Sequence, residues 1–198
     1  MKTKTKNNII IFICLIVIII AIIVIAFSIF NNQPKKVKRE YVNAGNVSMT
    51  YTSDFNGLSL TQMSPTSDIT GMKFDTADRY FDFTVSTEVE NDATVLYEIS
   101  LLKNPAITNI QNDDIKVYLE KLKDGSYVKV MGPTTYTPIS ASSEAGSPKN
   151  SMILTTVTKT TTDSETYRLR VWLADTAKIA EGTSAQFTGK VSVHGKAE

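Results

Sequence analysis

Residues able to do catalytic chemistry are sparse in this chain. His194 is the single histidine, whereas a zinc centre needs several histidine or cysteine ligands. Neither Gly146-Ser147 nor Gly182-Thr183-Ser184 has the spacing of a nucleophile elbow, and a serine triad would have only His194 as its base. No glycine-rich phosphate loop is present. We therefore predict no enzyme, no catalytic residue and no cofactor, and we expect His194 to face solvent near the end of a strand.

Two groups of carboxylates could supply oxygen ligands to calcium. Asp75, Asp78 and Asp82 form one group, and Asp113-Asp114 form the other. Neither group matches a known calcium-binding loop, so we interpret them as turn-forming and strand-flanking acids in solvent. The pattern predicts no metal site. An intramolecular Lys–Asn isopeptide bond stays open, since no residue pattern argues for it or against it.

The most suggestive surface feature surrounds the sole tryptophan, Trp172, in the segment YRLRVWL at 167–173. In a strand of period two, Trp172 shares one face with Arg168 and Arg170, while the apolar residues between them take the other face. Tryptophan and arginine are favoured at the centres of contacts, so these three residues are our candidate surface contact. Trp172 could instead cover the sheet beneath a loop, or pack against a second protomer.

The elements that position these residues are predicted to be β-strands. Alternation of apolar and polar side chains is typical of half-buried strands, and turn-forming residues separate the alternating segments. These segments are 47–51, 81–89, 95–101, 115–119, 152–160, 167–173 and 187–193. The pattern predicts an all-β fold over residues 45–196, an antiparallel two-sheet β-sandwich of jelly-roll or Ig-like type.

Several details of this domain follow from turn chemistry and alternation. Lys123-Asp124-Gly125-Ser126 predicts a hairpin turn, and a short helix over 114–123 is the alternative to a strand there. Residues 132–150 are rich in Pro, Ser, Thr and Gly and predict an irregular exposed connection, with edge pairing at 136–139. Residues 174–182 predict a loop or one helical turn. Glu98 alternates with inward residues and is expected to point outward.

An apolar stretch precedes the domain at residues 9–30, after a short basic tail at 1–8. A helix of this length covers about 33 Å, enough for the hydrocarbon core of a bilayer. The run is longer than the core of a cleavable signal, so we predict an uncleaved transmembrane anchor, followed by a linker at 31–44. Its partner would be the lipid bilayer.

Charge and cysteine usage exclude further classes. Residues 1–40 hold seven of the 21 basic residues and a single acid, which leaves 14 basic against 19 acidic groups in 41–198. An acidic domain does not suit nucleic acid, whose phosphates need a basic face. The only cysteine, Cys14, lies in the apolar stretch, so the domain has no disulfide. Lysines flank that stretch on both sides, so charge alone does not set the orientation of the anchor. We infer that the domain is extracytoplasmic because the domain has the character of a surface module.

The order of motifs behind the apolar stretch resembles the surface modules of Firmicutes that include camelysin and the biofilm-matrix fibre proteins. The motifs are NVSMTY at 46–51, MSPTSDITG at 63–71, FDFTV at 81–85, YEISL at 97–101, YRLRVWL at 167–173 and FTGKVSV at 187–193. The resemblance implies a jelly-roll-like sandwich, export, and in some relatives assembly into fibres by strand donation.

Two departures from these relatives shape the expected function. The fibre-forming relatives are processed from their signal, whereas this anchor is predicted to be permanent. Camelysin is described as a metalloprotease, but this chain has one histidine and no zinc motif, so no catalytic residue is carried over. We expect a non-catalytic, single-pass protein of a Gram-positive cell membrane that displays the sandwich for interaction, adhesion or self-association. The alternative is an accessory module that binds a cell-wall polymer or another ligand.

Overall fold

The computed structural model of this protein describes residues 36–42, 45–90, 93–180 and 182–197. The predicted anchor at 9–30 lies outside these residues. Within the described ranges, no helix is long and apolar enough to cross a membrane. The chain divides into two units between residues 35 and 36, and the fold below belongs to the second unit, residues 36–198.

The regular secondary structure of the second unit is almost entirely β-strand. The strands are β1 Lys36–Val42, β2 Gly45–Tyr51, β3 Gly57–Met63, β4 Pro65–Thr66, β5 Tyr80–Val89, β6 Val95–Lys103, β7 Ile115–Lys123, β8 Ser126–Thr135, β9 Ser151–Lys159, β10 Asp163–Ala174 and β11 Ala185–Ala197. One short helix, α1, covers Asp68–Gly71, and a 3-10 turn covers Asn112–Asp114. The predicted all-β class is confirmed.

The strands form two sheets. The first has the order β1-β2-β5-β10-β7-β8, with the short β4 beside β10, and the second has the order β3-β11-β6-β9. Neighbours are antiparallel except β4 and β10, which run parallel. Strands distant in sequence therefore become neighbours, and β10 lies in the middle of the first sheet.

One apolar core collects the inward side chains of both sheets. The apolar residues of β10 at 167, 169, 171 and 173 are at most 1% exposed, and Tyr97, Ile99 and Leu101 of β6 are fully buried. All of them belong to a single cluster. The inward faces predicted from alternation are confirmed here. Successive side chains of a strand point to opposite faces, so an apolar residue at every second position predicts one buried face.

A polar cluster lies at the edge of this core, around Glu165. Its carboxylate accepts hydrogen bonds from the hydroxyls of Tyr97 and Tyr167, at 2.9 and 2.8 Å. Lys121 and Lys159 approach the same carboxylate at 3.0 and 2.9 Å. Tyr97 and Lys159 belong to the second sheet and Glu165, Tyr167 and Lys121 belong to the first, so this cluster joins the two sheets.

The structure corrects two local predictions and decides one alternative. β1 pairs with β2 along its length, so residues 36–42 of the predicted linker are a strand and the sheet begins before residue 45. Residues 115–123 are a strand, which rules out the helix alternative. Residues 132–135 extend β8, because this part of the connection continues the pairing with β7. The predicted turn at Asp124-Gly125 is confirmed, with φ of 50° and 79°.

Candidate functional site

Trp172 lies on the outer face of the first sheet, as predicted, but it is only 1% exposed. The segment that carries α1 covers it: a Cβ at Gly71 would lie 2.3 Å from Cδ2 of the indole ring. The prediction that Trp172 is an exposed contact is therefore wrong, and the alternative, in which it covers the sheet beneath a loop, is correct. Only a residue without a side chain fits at Gly71.

Arg170 is also buried, at 6% exposure. Its Nε donates a hydrogen bond to the Phe74 carbonyl at 2.6 Å, and its guanidinium forms an ion pair with Glu120. The hydroxyl of Tyr118 donates to the same carboxylate at 3.2 Å. Arg170 therefore fastens the segment after α1 to the sheet, and it is no exposed contact residue.

Arg168 is half-buried and contacts two aromatic rings. Its guanidinium carbon lies 3.8 Å from the ring centroid of Tyr80 and 4.3 Å from that of Tyr127. It also forms two hydrogen bonds with Asp82, both 2.7 Å long. Hydrogen bonding to Asp82 raises the pKa of Arg168 above its usual range, against the opposing effect of burial. The guanidinium is thus held by two aromatic rings and one carboxylate.

A cavity of about 570 Å³ opens beside the covered tryptophan. Its volume falls in the range of small-molecule sites. Its lining is Met63, Ser64, Thr66, Ile69, Thr70, Lys73, Phe74, Asp75, Thr76, Arg79, Trp172 and Leu173. Almost all of these residues come from the connection between β3 and β5, which folds over the outer face of the sheet.

Short-range chemistry explains how this connection holds its shape. Ser67 precedes α1, and its hydroxyl accepts a hydrogen bond from the Thr70 amide at 3.4 Å, the usual role of serine at the start of a helix. Thr66 in β4 is tied to the end of β10. This site was not predicted from the sequence; Ser67 at an N-cap position was the signal that could have revealed the helix.

A second polar cluster lies on the outer face of the other sheet. Glu98 and His194 are opposite each other in the β6–β11 register, and Ser143 donates to Glu98 at 2.5 Å. The Ser147 amide donates to the Ser143 hydroxyl at 2.8 Å. The serine donates directly to the carboxylate and not to the imidazole, which is not the order of a serine triad. These contacts fasten loop 140–147 to the sheet.

This loop changes two predicted environments. Glu98 does point outward from the sheet, but it is 7% exposed because the loop covers it. His194 is half-buried, so the prediction that it faces solvent is wrong. A Cβ at Gly146 would lie 3.8 Å from the Cβ of His194, which places the same loop against the histidine.

The three aspartates of the first candidate calcium group each have a different role. Asp82 binds Arg168, Asp78 lies 3.6 Å from Arg79, and Asp75 lines the cavity. A hydrogen bond from Thr76 lowers the pKa of Asp78. Among the residues described, no group of three or more His, Cys, Asp or Glu side chains could hold a metal ion.

The outer edge of β8 is a further surface of interest. β8 is the last strand of its sheet, and no described residue pairs with the far side of residues 126–131. Val128 and Val130 are 40% and 36% exposed. An edge of this kind offers free backbone donors and acceptors next to apolar side chains.

Comparison with known proteins adds no relative. No protein-family model, curated protein or solved structure matches this chain. The resemblance to the surface modules of Firmicutes therefore stays a prediction, and the function has to be argued from the residues and surfaces described above.

Proposed function

We propose that this chain is a single-pass membrane protein that displays a jelly-roll or Ig-like sandwich on the outer side of a Gram-positive cell. It acts without catalysis, by contact with other molecules and first of all with copies of itself. The apolar stretch at 9–30 supports the anchor, and the motif order shared with the camelysin-like modules supports the surface role. The free edge of β8 is the observation that carries the contact.

The backbone of residues 126–131 provides the groups for this contact. Backbone N–H and C=O groups at a sheet edge are satisfied by water or by another strand. An added strand gains main-chain hydrogen bonds and, here, apolar contact with Val128 and Val130. Lys129 is the charged residue on this edge, and lysine at an edge discourages indiscriminate pairing. The edge therefore favours a partner strand in a register that tolerates this lysine.

The β8 strand of a second copy meets that condition. In an antiparallel pair centred on Val128, Val128 of each copy is opposite its equivalent, and Lys129 is opposite Tyr127. The two lysines are then not opposed, whereas a pair centred on Lys129 would bring like charges together. Such a contact is two-fold symmetric, the commonest arrangement in protein oligomers.

Sedimentation of purified residues 36–198 tests the self-association. We expect a monomer–dimer equilibrium in the range of about 10 to 100 μM, typical of a weak interface. Val128→Lys should weaken it at least tenfold, because the new charges would be opposed across the symmetry axis. Ile107→Lys is the matched control, since Ile107 is 48% exposed and lies outside β8. A strictly monomeric wild type, or equal association of the Val128→Lys variant, would contradict the proposal.

Display outside the cell has its own test. We would insert a specific protease site after Thr160, in the exposed turn between β9 and β10. Protease added to intact cells should cleave the chain there, while a cytoplasmic reporter carrying the same site stays whole. Cleavage that requires permeabilised cells would reverse the topology and refute a surface role.

A further inference from the structure

The indole of Trp172 carries a buried donor without a partner. Its Nε1 has no hydrogen-bond partner among the described residues, although the side chain is 1% exposed. An indole N–H can only donate, and buried donors in folded proteins are almost always paired. An unpaired buried group costs about 1–3 kcal/mol. An acceptor from outside the chain would remove this cost.

The cavity lined by Trp172 can admit that partner. At about 570 Å³ it is large enough for a small organic molecule. Ile69 of α1 lines the cavity, and 68% of its surface is exposed. A large apolar side chain in solvent does not stabilise the isolated domain, so its exposure is consistent with a binding role. Because Nε1 is itself buried, an acceptor in this cavity reaches the indole only when the residues over Nε1 shift; its apolar part then covers Ile69.

The lining indicates which acceptor fits. Met63, Ile69, Phe74 and Leu173 are apolar and favour an apolar body. Two cations and one acid also line the cavity; these are Lys73, Arg79 and Asp75. Arg79 is partly occupied, with Asp78 at 3.6 Å and the Phe74 ring centroid at 5.6 Å. Lys73 makes no ion pair with any residue that the structure describes, so it is available to an anion.

From these observations we propose that the cavity beside Trp172 binds a small organic carboxylate with an apolar body. A carboxylate oxygen accepts the hydrogen bond of the indole N–H, and Lys73 supplies the opposite charge. The apolar part of the ligand lies against Ile69 and Phe74. The site shares no residue with the β8 edge, so it does not depend on self-association.

The sole tryptophan makes this site directly measurable. The full chain, ¹⁵N-labelled and held in lipid nanodiscs, gives one indole N–H resonance, that of Trp172. We would titrate it with benzoate, benzamide and toluene, which share a ring and differ in the acceptor. Empty nanodiscs correct for partition of each probe into lipid. Benzoate should shift the resonance saturably with a dissociation constant below about 10 mM, benzamide should bind at least threefold more weakly, and toluene should leave it in place.

Substitutions at exposed positions leave the core intact. They test whether benzoate binds in the cavity or shifts the Trp172 resonance by a nonspecific effect. Lys73→Gln should weaken benzoate at least about threefold and leave benzamide unchanged, and Lys149→Gln, distant from the cavity, should change neither. Ile69→Glu should weaken benzoate further, whereas Ile107→Glu should not. No saturable benzoate shift, benzamide binding as tightly as benzoate, or an unchanged benzoate affinity in both cavity variants would each overturn the proposal.

Discussion

Replacing Glu165 by leucine should lower the free energy of unfolding by about 3 kcal/mol. The carboxylate is 14% exposed and receives two lysines and two tyrosine hydroxyls. Removing one partner of a buried charge cluster leaves the other charges without compensation, which costs several kcal/mol. Urea unfolding of residues 36–198, followed by far-UV circular dichroism, measures the loss.

Asp163→Asn is the matched control for this experiment. Asp163 binds the same lysine, Lys159, at 2.6 Å, but its side chain is 44% exposed. Exposed ion pairs contribute about 0–1 kcal/mol, so this variant should lose less than about 1 kcal/mol. Equal losses in the Asp163 and Glu165 variants would show that burial does not set the strength of this cluster.

The same carboxylate should make the stability depend on pH in the acid range. Burial opposes ionisation of Glu165, but hydrogen bonds from Lys159, Tyr167, Lys121 and Tyr97 outweigh it and lower the pKa from 4.5 to about 2. A group whose pKa is lowered on folding stabilises the native state above its unfolded pKa and loses that contribution as pH falls. Between pH 5 and pH 2 the wild type should lose about 2 kcal/mol more than Glu165→Leu. If the wild type and Glu165→Leu lose the same stability between pH 5 and pH 2, Glu165 is not the cause of the acid sensitivity.

Replacing Arg170 by leucine should also cost about 3 kcal/mol, and it should loosen the cover of Trp172. The change leaves Glu120, 12% exposed, without its ion-pair partner, and it removes the hydrogen bond to the Phe74 carbonyl. Uncompensated buried charge is the main cost. Urea unfolding measures the loss, and a red shift of Trp172 fluorescence in the folded state reports the release of residues 72–79.

Two further variants identify the cause. The double variant Arg170→Leu/Glu120→Leu should recover much of the lost stability, because replacing both partners of a buried pair by apolar residues is often nearly neutral. Arg168→Leu, on the same face of β10, should cost only about 1 kcal/mol, since its partner Asp82 is 35% exposed. If the double variant is no more stable than Arg170→Leu, the uncompensated charge is not the cause.

The sequence was a good guide wherever the decisive interactions are local. The alternation in 167–173 correctly predicted that Leu169 and Val171 face the core, because successive side chains of a strand point to opposite faces. Asp124-Gly125 predicted its hairpin because two adjacent residues with positive φ suit the tight turn. The sequence was a poor guide to exposure on the outer face: the side chains of Trp172 and Arg170 point outward from the sheet, as predicted, but other segments bury them.

The difference has a physical reason. Whether a residue belongs to a strand, and which of its faces is apolar, depends on side chains within a few positions, and the sequence by itself determined these. What covers an outward side chain depends on segments far along the chain. The tertiary fold brings together Gly71 and Trp172, Phe74 and Glu120 with Arg170, and Ser143 with Glu98. The cavity beside Trp172 and the cluster around Glu165 were therefore decided by the tertiary structure alone.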